Sequence, residues 1–85
     1  MSHHPTSFVG DVRAAIKTSV EGAIAGATAE VSGGGGHFEI VVTSTAFAGQ
    51  SLLAKQRMVL SAIAHLMKGE DAPVHAVDKI ETKTP

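Results

Sequence analysis

The chain has no cysteine, so any metal site in it must use histidines and carboxylates. Two of its five histidines, His37 and His75, are the candidates considered first. His37 follows four consecutive glycines, and His75 follows Pro73 and Val74. Imidazole nitrogen is a common ligand of zinc, and it can replace thiolate on one iron of a two-iron cluster. A structural zinc site takes four protein ligands, and the sequence contains no cysteine and no HxxxH or HExxH pair. As metal ligands, the two histidines would form an incomplete site, whose missing ligands would come from a partner or from solvent.

The same histidines also have an ordinary structural interpretation. At the end of a strand, His75 would donate a hydrogen bond, and His37 would be exposed beside a glycine loop. His65 fits the solvent side of a helix, and His3 and His4 belong to the N-terminal tail. The spacing alone leaves both interpretations of His37 and His75 open.

Two helices are predicted from apolar periodicity. Phe8, Val12, Ile16 and Val20 recur at four-residue spacing, which indicates a helix that follows a disordered tail at residues 1–7, with Thr6 or Ser7 as its cap. Gly22 and Gly26 place its end between Val20 and Ala25. A longer helix is expected from about Ser51, its N-cap, to Met67, with Gly69 after it. Its predicted buried positions are Leu52, Val59, Ile63 and Leu66, widened by Leu53, Leu60 and Met67, and its predicted wet positions are Lys55, Ser61, His65 and Lys68.

Three strands are predicted between and after these helices. Residues 28–32 and 38–44 read as a hairpin, and Gly33, Gly34, Gly35 and Gly36 form its tip and a flexible hinge. The last strand covers residues 74–82. Val77 and Ile80 are three apart and cannot share a face of a regular strand, so a one-residue bulge near Asp78-Lys79 is expected.

The element order helix, strand, strand, helix, strand determines where the histidines lie. It predicts one small α/β (α+β) domain over residues 8–85, with a three-stranded mixed sheet packed on helices. The hairpin strands are antiparallel, whereas a crossover through the long helix makes the second and third strands parallel. If those strands are neighbours, His37 and His75 meet at one edge of the sheet.

Composition narrows the functional classes. The chain has 85 residues, and seven Lys plus Arg against eight Asp plus Glu leave a net charge of −1, without the broad basic field of a nonspecific nucleic-acid binder. No apolar run reaches the roughly 20 residues of a membrane span, and the N-terminus lacks a signal-peptide pattern, so the expected address is the cytoplasm with no membrane partner. The glycine run leads into a strand rather than a helix, unlike a phosphate loop, and Ser51 has no base near it in sequence, so an enzyme is not expected.

Several segments resemble the BolA family. They are Phe47-Ala-Gly-Gln-Ser-Leu-Leu-Ala-Lys-Gln-Arg-Met-Val-Leu60, then Val74-His-Ala-Val77, then the closing Thr84-Pro85. Gly36-His37-Phe38 is similar to the histidine-loop branch of that family. The resemblance covers roughly residues 8–85. Many members carry Arg-His-Arg at the position of Lys55-Gln-Arg57. The triplet found here makes this chain more similar to the acid-stress paralogues of proteobacteria.

The resemblance implies a fold, a partner and a cofactor. The fold would be similar to the class II KH domain, and the partner would be a monothiol glutaredoxin of the CGFS type. The resemblance further implies a [2Fe–2S] cluster shared with that partner and not tightly bound to this chain alone. His75 and His37 would be its ligands here, with the glutaredoxin cysteine and a glutathione on the partner side. Alone, the chain is expected to be a monomer or a weak homo-oligomer.

The resemblance also supports an alternative function, and the last strand departs from the family pattern. A DNA-binding regulator would contact phosphates through Lys55, Arg57 and Lys68, although three cations on a helix are usually a solvated face. Salt dependence of binding would distinguish this function from a cluster adaptor. The last strand is one residue longer than the family pattern after Val77, which coincides with the predicted bulge.

Overall fold

The computed structural model describes residues 11–85, so the predicted tail and the helix start at Phe8 lie outside the described residues. The elements are α1 (Val12–Ala23), β1 (Thr28–Gly34), β2 (His37–Thr43), α2 (Leu52–Ile63) and β3 (Ala76–Lys83), with 3₁₀ helices at Thr45–Phe47 and Ala64–Leu66. This order confirms the predicted α-β-β-α-β arrangement. Within residues 11–85, none of the helices has the length and apolarity needed to span a bilayer.

The three strands form a mixed sheet in the order β1-β2-β3, as predicted. β1 pairs with β2 in antiparallel register and β2 pairs with β3 in parallel register. Inward residues of β2 (Phe38, Ile40, Val42) share one core cluster with residues of both helices. Because side chains alternate along a strand, His37 and Glu39 lie on the opposite face of the sheet, where both are exposed.

The predicted bulge is present at Asp78. Phe38 is paired with Val77, whereas the next residue of β2, Glu39, is paired with Lys79. Asp78 is therefore the extra residue of β3. The bulge lets both Val77 and Ile80 pack against the core, which a regular strand would not allow.

The hairpin tip is shorter than the glycine run. Gly35 and Gly36 form a two-residue turn with φ of 63° and 86°, the positive values that a type I′ turn requires. Gly33 and Gly34 instead belong to β1, opposite Phe38 and His37. The expected four-glycine hinge is thus reduced to two turn residues, because the ladder continues through the first two glycines.

Helix α1 begins at Val12 in the described residues. Asp11 is its N-cap: its backbone is extended, and its carboxylate accepts a hydrogen bond from Arg13 N at 3.0 Å. At the other end, Lys17 Nζ donates to Glu21 Oε2 and to the Ala29 carbonyl, both at 2.7 Å. Glu21 Oε2 also accepts from Ala29 N at 2.9 Å, so this cluster joins α1 to β1.

Helix α2 begins as predicted and buries a narrower face than predicted. Ser51 Oγ accepts a hydrogen bond from Ala54 N at 3.1 Å, and the helix changes to a 3₁₀ turn after Ile63 rather than continuing to Met67. The buried residues are Val59, Ala62, Ile63 and Leu66. The prediction that Leu52, Leu53 and Leu60 are buried was wrong, because these side chains are 61%, 56% and 39% exposed. A helix with apolar residues around most of its circumference can turn only one arc toward a three-stranded sheet.

Candidate metal-ligand site at the sheet edge

The backbone of neighbouring parallel strands brings His37 and His75 to the same edge of the sheet. His37 is the first residue of β2, and His75 immediately precedes β3, whose first residue Ala76 is paired with His37. The carbonyl of Gly36 accepts hydrogen bonds from His75 N at 2.8 Å and from Ala76 N at 3.0 Å. The edge is therefore held by main-chain bonds, and both histidine side chains are exposed there.

The side chain of His75 packs against Gly36, where there is no Cβ atom to block it. A Cβ atom at position 36 would lie 2.8 Å from His75 Nδ1 and 2.9 Å from its Cγ, closer than real Cβ contacts. Gly36 also has a φ of 86°, which side-chain-bearing residues rarely adopt. Within residues 11–85, the His75 ring has no hydrogen-bond partner, so its nitrogens are available to an external group.

The ring of His37 has a different neighbour. Its Nδ1 lies 3.2 Å from Oδ1 of Asp78, the bulge residue, and both side chains are more than half exposed. A carboxylate can only accept, so this hydrogen bond forms when Nδ1 of His37 carries a proton. The sequence predicted the bulge but not this contact. A bulge redirects a side chain at the strand where it occurs, but which residue the side chain then meets depends on the register of the sheet.

The donor set at this edge fits half of a two-iron site. Among the described residues, no group of three or more His, Cys, Asp or Glu side chains is arranged to hold a metal ion. Two exposed imidazoles do not complete a metal site by themselves, so a metal ion bound at this edge would take its other ligands from another molecule. Paired imidazoles on one iron, with thiolates on the other, are a known arrangement for [2Fe–2S] clusters.

The three candidate cations do not share one face of the helix. Lys55 is half-buried and Arg57 is exposed on α2, and a separation of two residues places them about 200° apart around the helix axis. Lys68 is exposed and follows the 3₁₀ turn Ala64–Leu66. Within the described part of the chain, none of the three belongs to an ion pair.

His65 is tied to helix α1 rather than to the histidine edge. Its Nε2 lies 3.2 Å from Ser19 Oγ, and the residue is exposed as predicted. This histidine thus has a partner on α1, 46 positions earlier in the sequence. It is a suitable reference for the loss of a histidine that has no ligand role.

Comparison with known proteins gives consistent matches to one family. The sequence profile described as "BolA-like protein" matches residues 14–85. The human protein named "BolA-like protein 1" is 37% identical over 87 aligned residues, which cover 91% of this chain and 61% of that protein. The chain thus spans about three fifths of the length of the curated relatives it matches.

Solved structures carry the same names. The solution structure of BolA1 from Mus musculus has a TM-score of 0.70 and 34% identity, covering 100% of this chain and 74% of that one. A bolA protein homologue from Coxiella burnetii has a TM-score of 0.69 and 32% identity, covering 82% and 86%. The BolA domain of SufE1 from Arabidopsis thaliana has a TM-score of 0.74 and 26% identity, covering 92% and 96%.

Proposed function

This chain belongs to the BolA-like protein family, and from that premise we propose that it is an adaptor for iron–sulfur clusters. It binds a monothiol glutaredoxin of the CGFS type and supplies histidine ligands to a [2Fe–2S] cluster that the two proteins share. The adaptor acts in the cytoplasm, in cluster trafficking or in iron and stress regulation, and it is not an enzyme.

One observation carries the proposal: two exposed histidines lie at the adjacent starts of parallel strands, beside the same glycine turn. The His75 ring packs against Gly36 and has no hydrogen-bond partner within residues 11–85. The His37 ring lies with Nδ1 3.2 Å from Asp78 Oδ1. An edge with two available imidazoles and no thiolate suits a site completed by another protein.

A bound cluster would supply iron atoms, and nitrogen atoms of this chain would be among the ligands of that iron. His75 would be one of these donors, and the main-chain bonds to Gly36 fix the position of its backbone. His37 would be the other donor, and it stands on the strand next to the turn. The glutaredoxin cysteine and a glutathione would provide the two thiolates.

The proposal is tested by adding this domain to a CGFS glutaredoxin loaded with a [2Fe–2S] cluster and recording the visible circular dichroism spectrum. We expect the wild-type chain to change the spectrum, His75→Ala to abolish the change and His37→Ala to weaken it. His65→Ala is the matched control, since it removes an exposed histidine whose ring contacts Ser19 on α1, and it should behave as wild type. A wild-type chain that leaves the spectrum unchanged would overturn the proposal.

Binding to DNA is the alternative function, and a separate experiment tests it. If the histidine variants and the wild type all leave the cluster unchanged, binding to duplex DNA is measured by fluorescence anisotropy over a range of salt concentrations. Three phosphate contacts would give a slope of about −3 in log affinity against log salt. Replacement of Lys55, Arg57 and Lys68 by alanine would then remove the binding. That pair of results would assign the chain to DNA regulation instead.

A further inference from the structure

Asp78 occupies a position that a regular strand would not have. The ladder between β2 and β3 passes from Val77 to Lys79 and leaves Asp78 as the extra residue. Bulges of this kind increase the local twist and redirect a side chain, often next to a functional site. In this chain the redirected carboxylate reaches His37 on the neighbouring strand, 41 positions earlier in the sequence.

The contact between Asp78 and His37 selects one form of the imidazole. The distance from Nδ1 to Oδ1 is 3.2 Å, and a carboxylate accepts hydrogen bonds without donating any. The bond therefore favours the neutral tautomer with the proton on Nδ1. The lone pair is then on Nε2, the nitrogen farther from the strand.

We propose that Asp78 is a positioning residue that holds the His37 ring in the Nδ1–H tautomer and directs Nε2 outward as the ligand atom. This inference rests on the proposed function, in which His37 is a ligand of the shared cluster. Metal-bound histidines commonly donate their other ring N–H to a carboxylate, and loss of that partner weakens metal binding by about 10–100-fold. Asp78 itself touches no metal in this arrangement.

The expected effect lies at the lower end of that range. The side chains of His37 and Asp78 are 59% and 53% exposed, so water competes for both groups. We therefore expect loss of the Asp78 carboxylate to weaken cluster sharing by about tenfold. The fold should be unaffected, because the Asp78 side chain is exposed.

The first test uses the cluster-free domain, so its result does not depend on the proposed function. The tautomer of His37 is read from the ¹⁵N shifts of its ring by long-range ¹H–¹⁵N NMR, at a pH where the ring is neutral. The wild type should have its proton mainly on Nδ1. Asp78→Asn has the same size, but its amide can pair with either tautomer, so the proton should shift toward Nε2, as it should in Asp78→Ala.

Glu39→Gln is the matched control for the charge. Glu39 is exposed on the same face of β2 as His37, and it sits beside the bulge opposite Lys79. Its neutralisation should leave the His37 tautomer as in wild type. An unchanged tautomer in Asp78→Asn and Asp78→Ala would overturn the inference, as would an equal change in Glu39→Gln.

The second test measures cluster sharing with the loaded glutaredoxin. Asp78→Asn should need about ten times more protein than wild type or Glu39→Gln to reach the same change in visible circular dichroism. If Asp78→Asn changes the tautomer but shares the cluster as wild type does, the ligand-positioning role is overturned. Failure of the proposed function is recognised separately, because wild type itself would then give no spectral change.

Discussion

At the scale of single residues, the histidine edge depends on a glycine whose missing side chain makes room for another ring. The His75 ring lies so close to Gly36 that a Cβ atom of residue 36 would be 2.8 Å from Nδ1. Gly35, the other turn residue, also has a positive φ, but a Cβ atom there would meet open space. The two turn glycines are therefore a matched pair that separates backbone strain from ring placement.

Replacement of either turn glycine by alanine tests this distinction. Gly35→Ala and Gly36→Ala should each lower the free energy of unfolding by about 1–2 kcal/mol, because both put a Cβ into left-handed backbone. Only Gly36→Ala should displace the His75 ring. It should therefore shift the ring resonances of His75 in NMR spectra and reduce cluster sharing toward the level of His75→Ala.

The control is the comparison between the two alanine variants under the same conditions. Unfolding in urea reports the shared backbone cost, and the His75 resonances report the difference. Equal displacement of those resonances in both variants would contradict the inference that the missing side chain of Gly36 makes room for the His75 ring.

At the scale of elements, the junction of α1 and β1 is stabilised by a charged cluster on the surface. Glu21 accepts hydrogen bonds from Lys17 Nζ and from Ala29 N. The hydrogen bond from Lys17 is the larger cause, and the one from Ala29 N is the next. Both favour the charged carboxylate and hold the pKa of Glu21 below its ordinary value. Because this pKa is lowered on folding, the carboxylate stabilises the native state above its unfolded pKa, and this contribution is lost as the pH falls through the folded pKa.

The pH dependence of Glu21→Gln checks this linkage. Glutamine retains an acceptor for Ala29 N but removes the charge that faces Lys17. At pH 7 the wild type should melt at a higher temperature than Glu21→Gln, and the difference should shrink steadily below the ordinary pKa of glutamate. Glu30→Gln, an exposed change on β1, serves as the control. A melting difference that stays constant down to pH 3 would contradict the assigned role of the charge.

The elements also show where periodicity is sufficient and where it is not. Strand β2 alternates cleanly, so its core residues Phe38, Ile40 and Val42 could be read from the sequence. Helix α2 has leucines on more than one side, and periodicity cannot tell which side meets the sheet. The tertiary packing selects the arc of Val59 and Ile63 and leaves Leu52 and Leu53 exposed.

At the scale of the whole molecule, topology predicted where the histidines lie and not what they contact. A hairpin followed by a crossover helix was enough to expect His37 and His75 at one edge, because parallel neighbours start at the same edge of a sheet. The contact of Asp78 with His37 and that of His75 with Gly36 arise from register and turn type. Those are set by the assembled sheet, so local sequence patterns did not reveal them.

Deletion of Asp78 tests whether the bulge is a feature of the site or a requirement of the fold. Without Asp78, Val77 would remain opposite Phe38, Lys79 opposite Glu39 and Ile80 opposite Ile40, which restores a regular alternation of buried and exposed positions. The deletion should therefore retain the far-ultraviolet circular dichroism spectrum and change the free energy of unfolding by about 1 kcal/mol or less, the typical size of the effect of a single mutation. Its His37 ring should take the same tautomer as in Asp78→Asn.

Deletion of Glu81 provides the contrast within the same strand. That deletion moves Thr82 and Lys83 by one position relative to β2, which reverses the faces of the strand end. It also displaces the Lys83 carbonyl that accepts a hydrogen bond from Ser44 N at 2.9 Å, so it should destabilise the protein more than deletion of Asp78. If deletion of Asp78 unfolds the chain as readily as deletion of Glu81, the bulge is needed for folding. If it leaves the fold intact and only the tautomer of His37 changes, the extra residue serves the histidine edge.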